Sequence, residues 1–330
     1  MRRVLGVVLV ACALGGTPQL AVAEMTEIGR IAVPADVKVR FLLVSPDGEQ
    51  ITAACRDRKL RVWSVPSASP SRLLRMLEVD GEPISALAYS HDGTWVGAST
   101  ANGTVAVFRA RTGEPAARLS IGGKARANLR LGAIAISPDG SRVAVAPMDT
   151  PPELWDVASA KQRAILTTSF GGSNALDFSP DGTRLASADE DTSIRMYDTD
   201  GILRATVEDL PLESFALTFT PDGKQLVLGG ADKRVTLLDG ATGRVVRQLP
   251  KQPDSIAWLV ARRADGTVVS GSFKDESMDL SGPTLAWTLD GAPPREVAAK
   301  ERFNGGGPLK DGRLLLTTMA EGAIVVWAVR

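Results

Sequence analysis

Residues 178–198 read FSPDGTRLASADEDTSIRMYD, and versions of this stretch recur along the whole chain. Its Ser-Pro-Asp-Gly quartet is typical of a tight turn, because Pro presets φ, Asp can bond its own backbone and Gly accepts a positive φ. A strand ending in small residues follows, then an acidic turn, then a strand that ends in Tyr197 and Asp198. The stretch therefore predicts short strands joined by tight turns.

The Asp-Gly turn occurs seven times, and successive copies are 41–47 residues apart. Its glycines are Gly48, Gly93, Gly140, Gly182, Gly223, Gly266 and Gly312. One Asp-Gly pair is a weak hairpin signal, whereas seven at nearly constant spacing indicate an array of repeats. Apolar strands flank each turn, a third strand follows, and a fourth apolar segment such as residues 72–79 completes the repeat.

Four short strands in each period of about 40–45 residues are typical of one blade of a β-propeller. A blade has two apolar faces, which it must bury against neighbouring blades about 10 Å away. We expect the bulky residues that end the third strands to fill the space between blades: Trp63, Phe108, Trp155, Tyr197, Leu238, Trp287 and Trp327. The sequence thus predicts an all-β fold, a seven-bladed β-propeller of four-stranded antiparallel blades.

The two ends of the chain predict how this ring closes. Residues 27–33 resemble the fourth strand of a blade, whereas residues 325–330 form a third strand. We expect the N-terminal strand to join the last blade, because this pairing removes free sheet edges that invite aggregation. The seventh repeat is the weakest, since three glycines within residues 303–308 disfavour a first strand there.

The chain resembles the WD-repeat β-propeller family over essentially its full length after residue 23. The resemblance rests on the seven Asp-Gly turns and on the Trp-Asp or equivalent pairs within residues 154–156, 196–198 and 237–239. Membership implies a platform that binds other proteins, an inference by analogy because a fold does not determine a function. Members often carry a Gly-His pair whose His joins a buried hydrogen-bond network. The single histidine here, His91, lies inside a turn quartet, so we expect its side chain to be exposed. The buried hydrogen-bond network of the family is then absent. This difference indicates a divergent, bacterial branch of the family.

The charge balance argues against a polyanionic partner. Lys plus Arg and Asp plus Glu both total 38, and Arg2 and Arg3 lie in an N-terminal targeting segment. Without that segment the chain has a small acidic excess. Neither nucleic-acid binding nor attraction to anionic lipid is therefore expected.

The first 23 residues have the pattern of a secretory signal peptide. Met1-Arg2-Arg3 is a positive start, residues 4–14 are apolar, and Ala21-Val22-Ala23 is a small-residue cleavage pattern. We therefore expect residues 24–330 to form a single propeller in the periplasm or outside a bacterial cell, with no transmembrane segment after processing. Residues 9–12 also resemble a lipobox, in which Cys12 would be lipidated and become the mature N-terminus.

The sequence offers little for catalysis. With one histidine, Ser-His-Asp and Cys-His catalysis would depend on His91, and too few His and Cys residues exist for a zinc or haem site. Cys55 is expected to be a buried small residue rather than a reactive thiol. An axial metal held by Asp189, Glu190 and Asn174 is the alternative. We favour a structural role, in which Asp191 accepts hydrogen bonds from the backbone of its own turn and the adjacent residues are solvated. We expect no cofactor.

The favoured hypothesis is a non-catalytic scaffold that binds a protein or peptide. The candidate binding face comprises the turns after the second strands and the connections before the first strands. Its residues are Lys38, Arg56, Arg58, Arg126, Arg130, Asn174, Glu190, Lys233 and Lys274. Two alternatives stay open: a metal-dependent, lactonase-like propeller hydrolase and an accessory subunit of a periplasmic oxidoreductase.

The N-terminus of the exported protein distinguishes the two processing routes. Cleavage by signal peptidase should leave Glu24 as the first residue, because Ala21 and Ala23 provide the small side chains that the cleavage site needs. Intact-mass spectrometry of the exported protein measures this directly. A mature N-terminus at Cys12 carrying acyl chains would contradict the prediction and establish a lipoprotein.

Overall fold

The structure is a computed structural model that describes residues 25–66, 70–80, 83–121, 131–148, 150–167, 171–208, 210–252, 254, 256–261, 267–272, 282–298, 303–309, 313–320 and 322–329. These residues form 28 strands in seven four-stranded antiparallel sheets. The predicted all-β, seven-bladed propeller is therefore confirmed. The signal-peptide and Cys12 predictions lie outside the described residues.

The strands follow the repeat along the chain. The first strands are β2 (Val39–Val44), β6 (Ile84–Tyr89), β10 (Leu131–Ile136), β14 (Ser173–Phe178), β18 (Ser214–Phe219), β22 (Ile256–Ala261) and β26 (Phe303–Pro308). The second strands are β3 (Gln50–Cys55), β7 (Trp95–Thr100), β11 (Arg142–Pro147), β15 (Arg184–Asp189), β19 (Gln225–Gly230), β23 (Thr267–Ser272) and β27 (Leu314–Ala320).

The remaining strands complete the blades toward the outside of the ring. The third strands are β4 (Lys59–Ser64), β8 (Thr104–Arg109), β12 (Glu153–Asp156), β16 (Ile194–Asp198), β20 (Val235–Asp239), β24 (Thr284–Thr288) and β28 (Ala323–Val329). The fourth strands are β5 (Leu73–Glu78), β9 (Pro115–Ser120), β13 (Lys161–Ile165), β17 (Leu203–Val207), β21 (Val245–Gln248), β25 (Arg295–Ala298) and β1 (Met25–Ala32). Blades 1 to 6 start at β2, β6, β10, β14, β18 and β22, and blade 7 consists of β26–β28 and β1.

The Asp-Gly turns among the described residues have the geometry that the sequence predicts. In blade 4, Ser179 donates its hydroxyl to the Asp181 carboxylate at 2.5 Å, and the same carboxylate accepts the Thr183 N–H at 3.0 Å. The Gly182 N–H donates to the Ser179 carbonyl at 2.8 Å, and Gly182 has a φ of 70°. A side chain with a Cβ would strain this backbone, which explains the glycine at this position.

Each hydrophobic cluster of the described residues joins two neighbouring blades. Trp155 packs with Val107 of blade 2 and Ile134 of blade 3, whereas Tyr197 packs with Leu154 of blade 3 and Phe178 of blade 4. Six of the seven predicted fillers are buried: Trp63, Phe108, Trp155, Tyr197, Leu238 and Trp287. The prediction that these residues fill the space between blades is confirmed for them, and burial of each stabilises the ring by about 1.5–3 kcal/mol.

The ring closes through β1 and β28. Their antiparallel register runs from Met25 opposite Val329 to Ala32 opposite Ala323. Ile31 of β1 lies in one cluster with residues of blades 1 and 7, so the closure also buries apolar surface. The predicted joining of the N-terminal strand to the last blade is confirmed.

The expectation of no regular first strand at residues 303–308 was wrong. Phe303–Pro308 forms β26, which pairs with β27. A Cβ on Gly307 would lie 2.7 Å from the Val44 Cβ in blade 1. The glycine here therefore permits a close approach between two first strands, which is the known exception to the rule that glycine weakens a strand.

Deleting residues 24–34 should open the ring and leave an aggregating protein. The deletion uncovers the edge of β28 and removes Ile31 from its cluster, and a free apolar edge pairs readily with other chains. Size-exclusion chromatography and thermal unfolding measure the outcome. A soluble monomer with the parent melting temperature would contradict the closure.

A matched pair of substitutions tests the same closure without truncation. Ile31→Asp places an unpaired carboxylate at a position that is 4% exposed, and it should lower the free energy of unfolding by about 3 kcal/mol or more. Thr26→Asp changes an exposed residue of the same strand and should have an effect within about 0.5 kcal/mol.

Candidate interaction face

The two ends of the ring are built from different connections. In an antiparallel sheet, turns alternate between the two ends of the strands. The Asp-Gly turns therefore lie at one end, which we call the lower face. The turns from second to third strands lie at the other end with the connections that lead to each first strand, and we call this end the upper face.

Backbone hydrogen bonds fasten the turns of the upper face to the connections beside them. The Arg56 N–H donates to the Lys38 carbonyl at 2.9 Å in blade 1. Glu190 donates in the same way to Gly172 at 3.1 Å, and Ala231 to Glu213 at 2.9 Å. The side chains of this face therefore stand on a backbone that is held in place.

The structure places the predicted binding residues as follows. Lys38, Arg56, Arg58 and Lys233 are exposed on the upper face, whereas Asn174 and Glu190 are half-buried. Arg126, Arg130 and Lys274 lie outside the described residues. A role in binding stays a prediction for all nine.

Asn174 and Glu190 make structural hydrogen bonds. The Asn174 amide donates to the Ser214 carbonyl of blade 5 at 3.2 Å. The Glu190 carboxylate accepts the Gly172 N–H at 3.0 Å. Both side chains thus hold neighbouring parts of the upper face together.

Blade 4 contains a buried ion-pair network. Arg195 donates to both Asp189 and Asp191, and Ser173 donates its hydroxyl to Asp189. Burial alone would lower the pKa of Arg195, but the carboxylates of Asp191 and Asp189 raise it above its usual range. Burial raises the pKa of Asp191, but the bond to Arg195 and the turn N–H of Ser193 lower it to about 2. Both groups are therefore charged at neutral pH.

This network corrects one expectation and confirms another. Asp191 accepts the Ser193 N–H at 3.1 Å, as predicted for a turn residue. Its neighbour Asp189 was expected to be solvated, but the side chain is fully buried against Arg195. Breaking such a pair leaves an uncompensated buried charge, so these residues hold the blade together.

Blade 1 contains the same kind of ion pair between an arginine and its turn aspartate. Arg61 donates twice to Asp57, at 2.9 and 2.7 Å. Burial raises the pKa of the adjacent Cys55 thiol, which is 1% exposed and therefore poorly reactive. The sequence interpretation missed both arginines, although each follows its turn aspartate by four residues, at Asp57 and Asp191.

The residues considered for an axial metal do not converge. Asp189 is tied to Arg195, Glu190 to Gly172 and Asn174 to Ser214. Within the described ranges, no group of three or more His, Cys, Asp or Glu residues could hold a metal ion.

The single histidine does not behave as expected. His91 was predicted to be an exposed turn residue, but its imidazole is half-buried and its Nε2 lies 3.0 Å from the Asp177 carboxylate. The same carboxylate accepts the Phe219 N–H at 2.8 Å. This contact joins the lower turn of blade 2 to the first strands of blades 4 and 5. The expectation was wrong because the partner is 86 residues away.

The described residues define a seven-bladed β-propeller with a polar, backbone-braced upper face. Three segments match the family model described as WD domain, G-beta repeat: residues 34–64, 71–109 and 161–198. The second and third segments begin at the fourth strand of one blade and end with the third strand of the next. Three segments of this seven-bladed propeller are therefore similar to WD repeats.

Two curated relatives resemble part of the chain. It is 29% identical over 147 residues to "WD repeat-containing protein 1" of Gallus gallus, which covers 41% of this chain and 23% of that protein. It is 28% identical over 147 residues to the protein of the same name from Rattus norvegicus, with the same coverage. The match thus spans less than a quarter of the length of these relatives.

Among the described residues, no helix has the length and apolar character needed to cross a lipid bilayer.

The contact between His91 and Asp177 should make stability depend on pH. Burial lowers the pKa of His91, but the carboxylates of Asp177 and Asp92 raise it above its usual 6.5. A raised pKa in the folded state stabilises the protein below about pH 6.5, and this contribution is lost as pH rises through the folded value. His91→Gln should therefore cost about 1–2 kcal/mol at about pH 6 and less at about pH 8.5.

Urea unfolding of both proteins at the two pH values measures the difference. Other titrating groups are common to both proteins, so their contributions cancel in the comparison. A cost of His91→Gln that stays constant or grows with pH would show that the imidazolium form does not stabilise the fold.

Proposed function

We propose that the chain as a whole is a divergent, exported WD-repeat protein of bacteria. In this proposal it is a non-catalytic scaffold that binds another protein or a peptide through its upper face. The similarity to WD repeats supports the family, and the signal-peptide pattern of residues 1–23 supports a site in the cell envelope.

The contrast between buried and exposed charges carries the proposal. The buried charges of Arg195 and Asp189 are paired with each other inside blade 4. The exposed cations Lys38 and Arg56 instead lie side by side on turns fixed by a backbone hydrogen bond. Such an arrangement suits recognition rather than proton transfer, because its side chains meet a partner on a rigid support.

Charge reversal on the upper face tests the proposal. Lys38→Glu combined with Arg56→Glu should weaken binding of the physiological partner at least tenfold, or about 1.4 kcal/mol. The partner is first captured by a photo-crosslinking residue placed at Arg58 and then measured by calorimetry with the purified protein. A matched double variant, Lys161→Glu with Arg244→Glu, changes exposed charges away from the upper face and should bind normally.

Two outcomes would contradict the proposal. Binding that is unaffected on the upper face but lost in the matched double variant would move the interface elsewhere on the ring. Turnover of a small molecule by the purified protein, abolished by an upper-face substitution, would identify an enzyme instead.

A further inference from the structure

Blades 1, 2, 4 and 5 share four equivalent positions on the upper face. One backbone hydrogen bond joins the turn after the second strand to the connection before the first strand, and its donor and acceptor residues occupy two of these positions. The other two are the second residue of the first strand and the turn residue that has a positive φ. Because the backbone is equivalent, the side chains at these positions can be compared between blades.

Blade 1 has a cation at all four positions, whereas the other three blades do not. The residues of blade 1 are Lys38, Arg40, Arg56 and Arg58. Those of blade 2 are Pro83, Ser85, Ala101 and Gly103. Those of blade 4 are Gly172, Asn174, Glu190 and Thr192, and those of blade 5 are Glu213, Phe215, Ala231 and Lys233. The fold therefore accepts neutral, acidic or basic residues here, and the four cations are a property of blade 1.

The cations of blade 1 stand on a backbone that is held in place. The Arg56 N–H donates to the Lys38 carbonyl at 2.9 Å, and the Arg58 carbonyl accepts the Val79 N–H at 3.0 Å. All three cationic side chains are exposed. The turn and the connection beside it thus present these charges to solvent from one braced unit.

Arg40 extends this group of charges toward blade 2. Its guanidinium group donates to the Ile84 carbonyl at 3.0 Å, which is the first residue of β6. The same group lies 5.2 Å from the centroid of the Phe41 ring. These contacts orient the Arg40 side chain, which still remains exposed.

The carboxylates of blade 1 do not cancel this charge. Asp57 lies in the same turn, but it is paired with Arg61 at 2.7 Å. Glu78 is paired with Lys59 at 3.2 Å. Asp36 is exposed and offsets one of the four cations, which leaves an excess of three positive charges.

Gathering cations on adjacent turns has an electrostatic cost, because like charges repel each other. Blades 2, 4 and 5 show that the fold does not need them. An anionic group that approaches the cations relieves the repulsion. The fixed backbone also means that they meet such a group with little further ordering. The arrangement therefore favours an anionic ligand.

We propose that Lys38, Arg40, Arg56 and Arg58 form a basic patch that binds an acidic segment of the partner protein, rich in Asp and Glu. The inference rests on the proposed scaffold function and names the chemistry of the segment that the upper face receives. Guanidinium groups suit this role, because they donate paired hydrogen bonds to carboxylates.

The rest of the upper face favours a short acidic segment over an extended polyanion. Glu190 and Glu213 occupy equivalent positions in blades 4 and 5. A nucleic acid or an anionic bilayer that covered the whole face would meet these carboxylates. The chain also has as many acidic as basic residues, 38 of each, so no general attraction compensates for that repulsion. A segment confined to blade 1 avoids it.

A synthetic acidic peptide tests the basic patch directly. Fluorescein-labelled hexaglutamate should bind the purified protein, as measured by fluorescence anisotropy, and hexaglutamine should bind about tenfold more weakly or worse because it lacks the charges. Affinity for hexaglutamate should fall as NaCl rises from about 50 to about 500 mM, since salt screens exposed charges. Equal affinity for the two peptides, or no binding of hexaglutamate at the lower salt, would overturn the inference.

Matched variants locate the binding. Arg56→Gln combined with Arg58→Gln should weaken hexaglutamate binding about fivefold or more without lowering the melting temperature, because both side chains are exposed. Lys161→Gln with Arg244→Gln makes the same change in net charge away from the upper face. Lys251→Gln removes an exposed cation of the upper face outside blade 1. Both controls should bind within about twofold of the parent, since distant charges are screened.

An equal loss in the blade 1 variant and in either control would overturn the basic patch, because net charge alone would then explain the binding. If Arg56→Gln with Arg58→Gln does not fold, Lys38→Gln with Arg56→Gln takes its place.

Other polyanions distinguish carboxylate from phosphate. Labelled oligothymidylate with six phosphates and vesicles containing about one quarter phosphatidylglycerol are measured at the same salt concentration. Neither should bind more tightly than hexaglutamate. Tighter binding of the oligonucleotide or of the vesicles would identify a phosphate site and overturn the acidic segment.

The outcomes separate this inference from the proposed function. If a partner is captured through the upper face but its cross-linked segment is not acidic, the acidic segment is wrong although the scaffold function stands. If hexaglutamate binds and depends on Arg56 and Arg58 while no protein is captured, the basic patch is established and the scaffold function fails.

Discussion

Burial of one blade against the next is the interaction on which the whole structure depends. A four-stranded sheet has two apolar faces and cannot bury either alone, so each blade is stable only between neighbours. Tyr197 illustrates the arrangement, since it belongs to blade 4 and packs with Leu154 and Leu166 of blade 3. The pairing of β1 with β28 extends this arrangement around the ring, because it covers the edge at which the array would otherwise end. The turns contribute little to this core and are therefore free to differ between blades.

The sequence was sufficient for the features that depend on local chemistry. Asp181 and Gly182 form the predicted turn because its hydrogen bonds join residues no more than three positions apart. The bulky ends of the third strands were also predictable, since any residue repeated at that position must lie in the space that neighbouring blades share. Repetition made the fold predictable, because seven turns at nearly constant spacing are strong evidence for an array of blades where a single turn is weak evidence.

The features that were missed depend on contacts between distant parts of the chain. Glycine at position 307 looked unfavourable for a strand, and only the approach of Val44 from the other end of the chain explains it. His91 looked exposed because nothing near it in sequence indicates Asp177. Asp189 looked solvated because an acidic run is usually hydrated, yet Arg195 lies on the neighbouring strand and neutralises it. Turn order determines which residues share the upper face, whereas the partners of individual side chains are not local and could not be predicted.

In a repeat protein, the contacts of one blade can be compared with those of equivalent residues in the other blades. The turn carboxylate recurs in blades 1, 4 and 5 with the same backbone, so a difference between blades cannot be attributed to the fold. In blades 1 and 4 an arginine neutralises this carboxylate. Removing both charges from water costs free energy, which the ion pair offsets only when its hydrogen bonds are complete. In blade 5 the carboxylate of Asp232 accepts the Arg234 N–H, and Thr236 stands where the other two blades have arginine. The same turn therefore accepts either a buried arginine or a threonine four residues later, so the ion pair is a property of the individual blade and not a requirement of the fold.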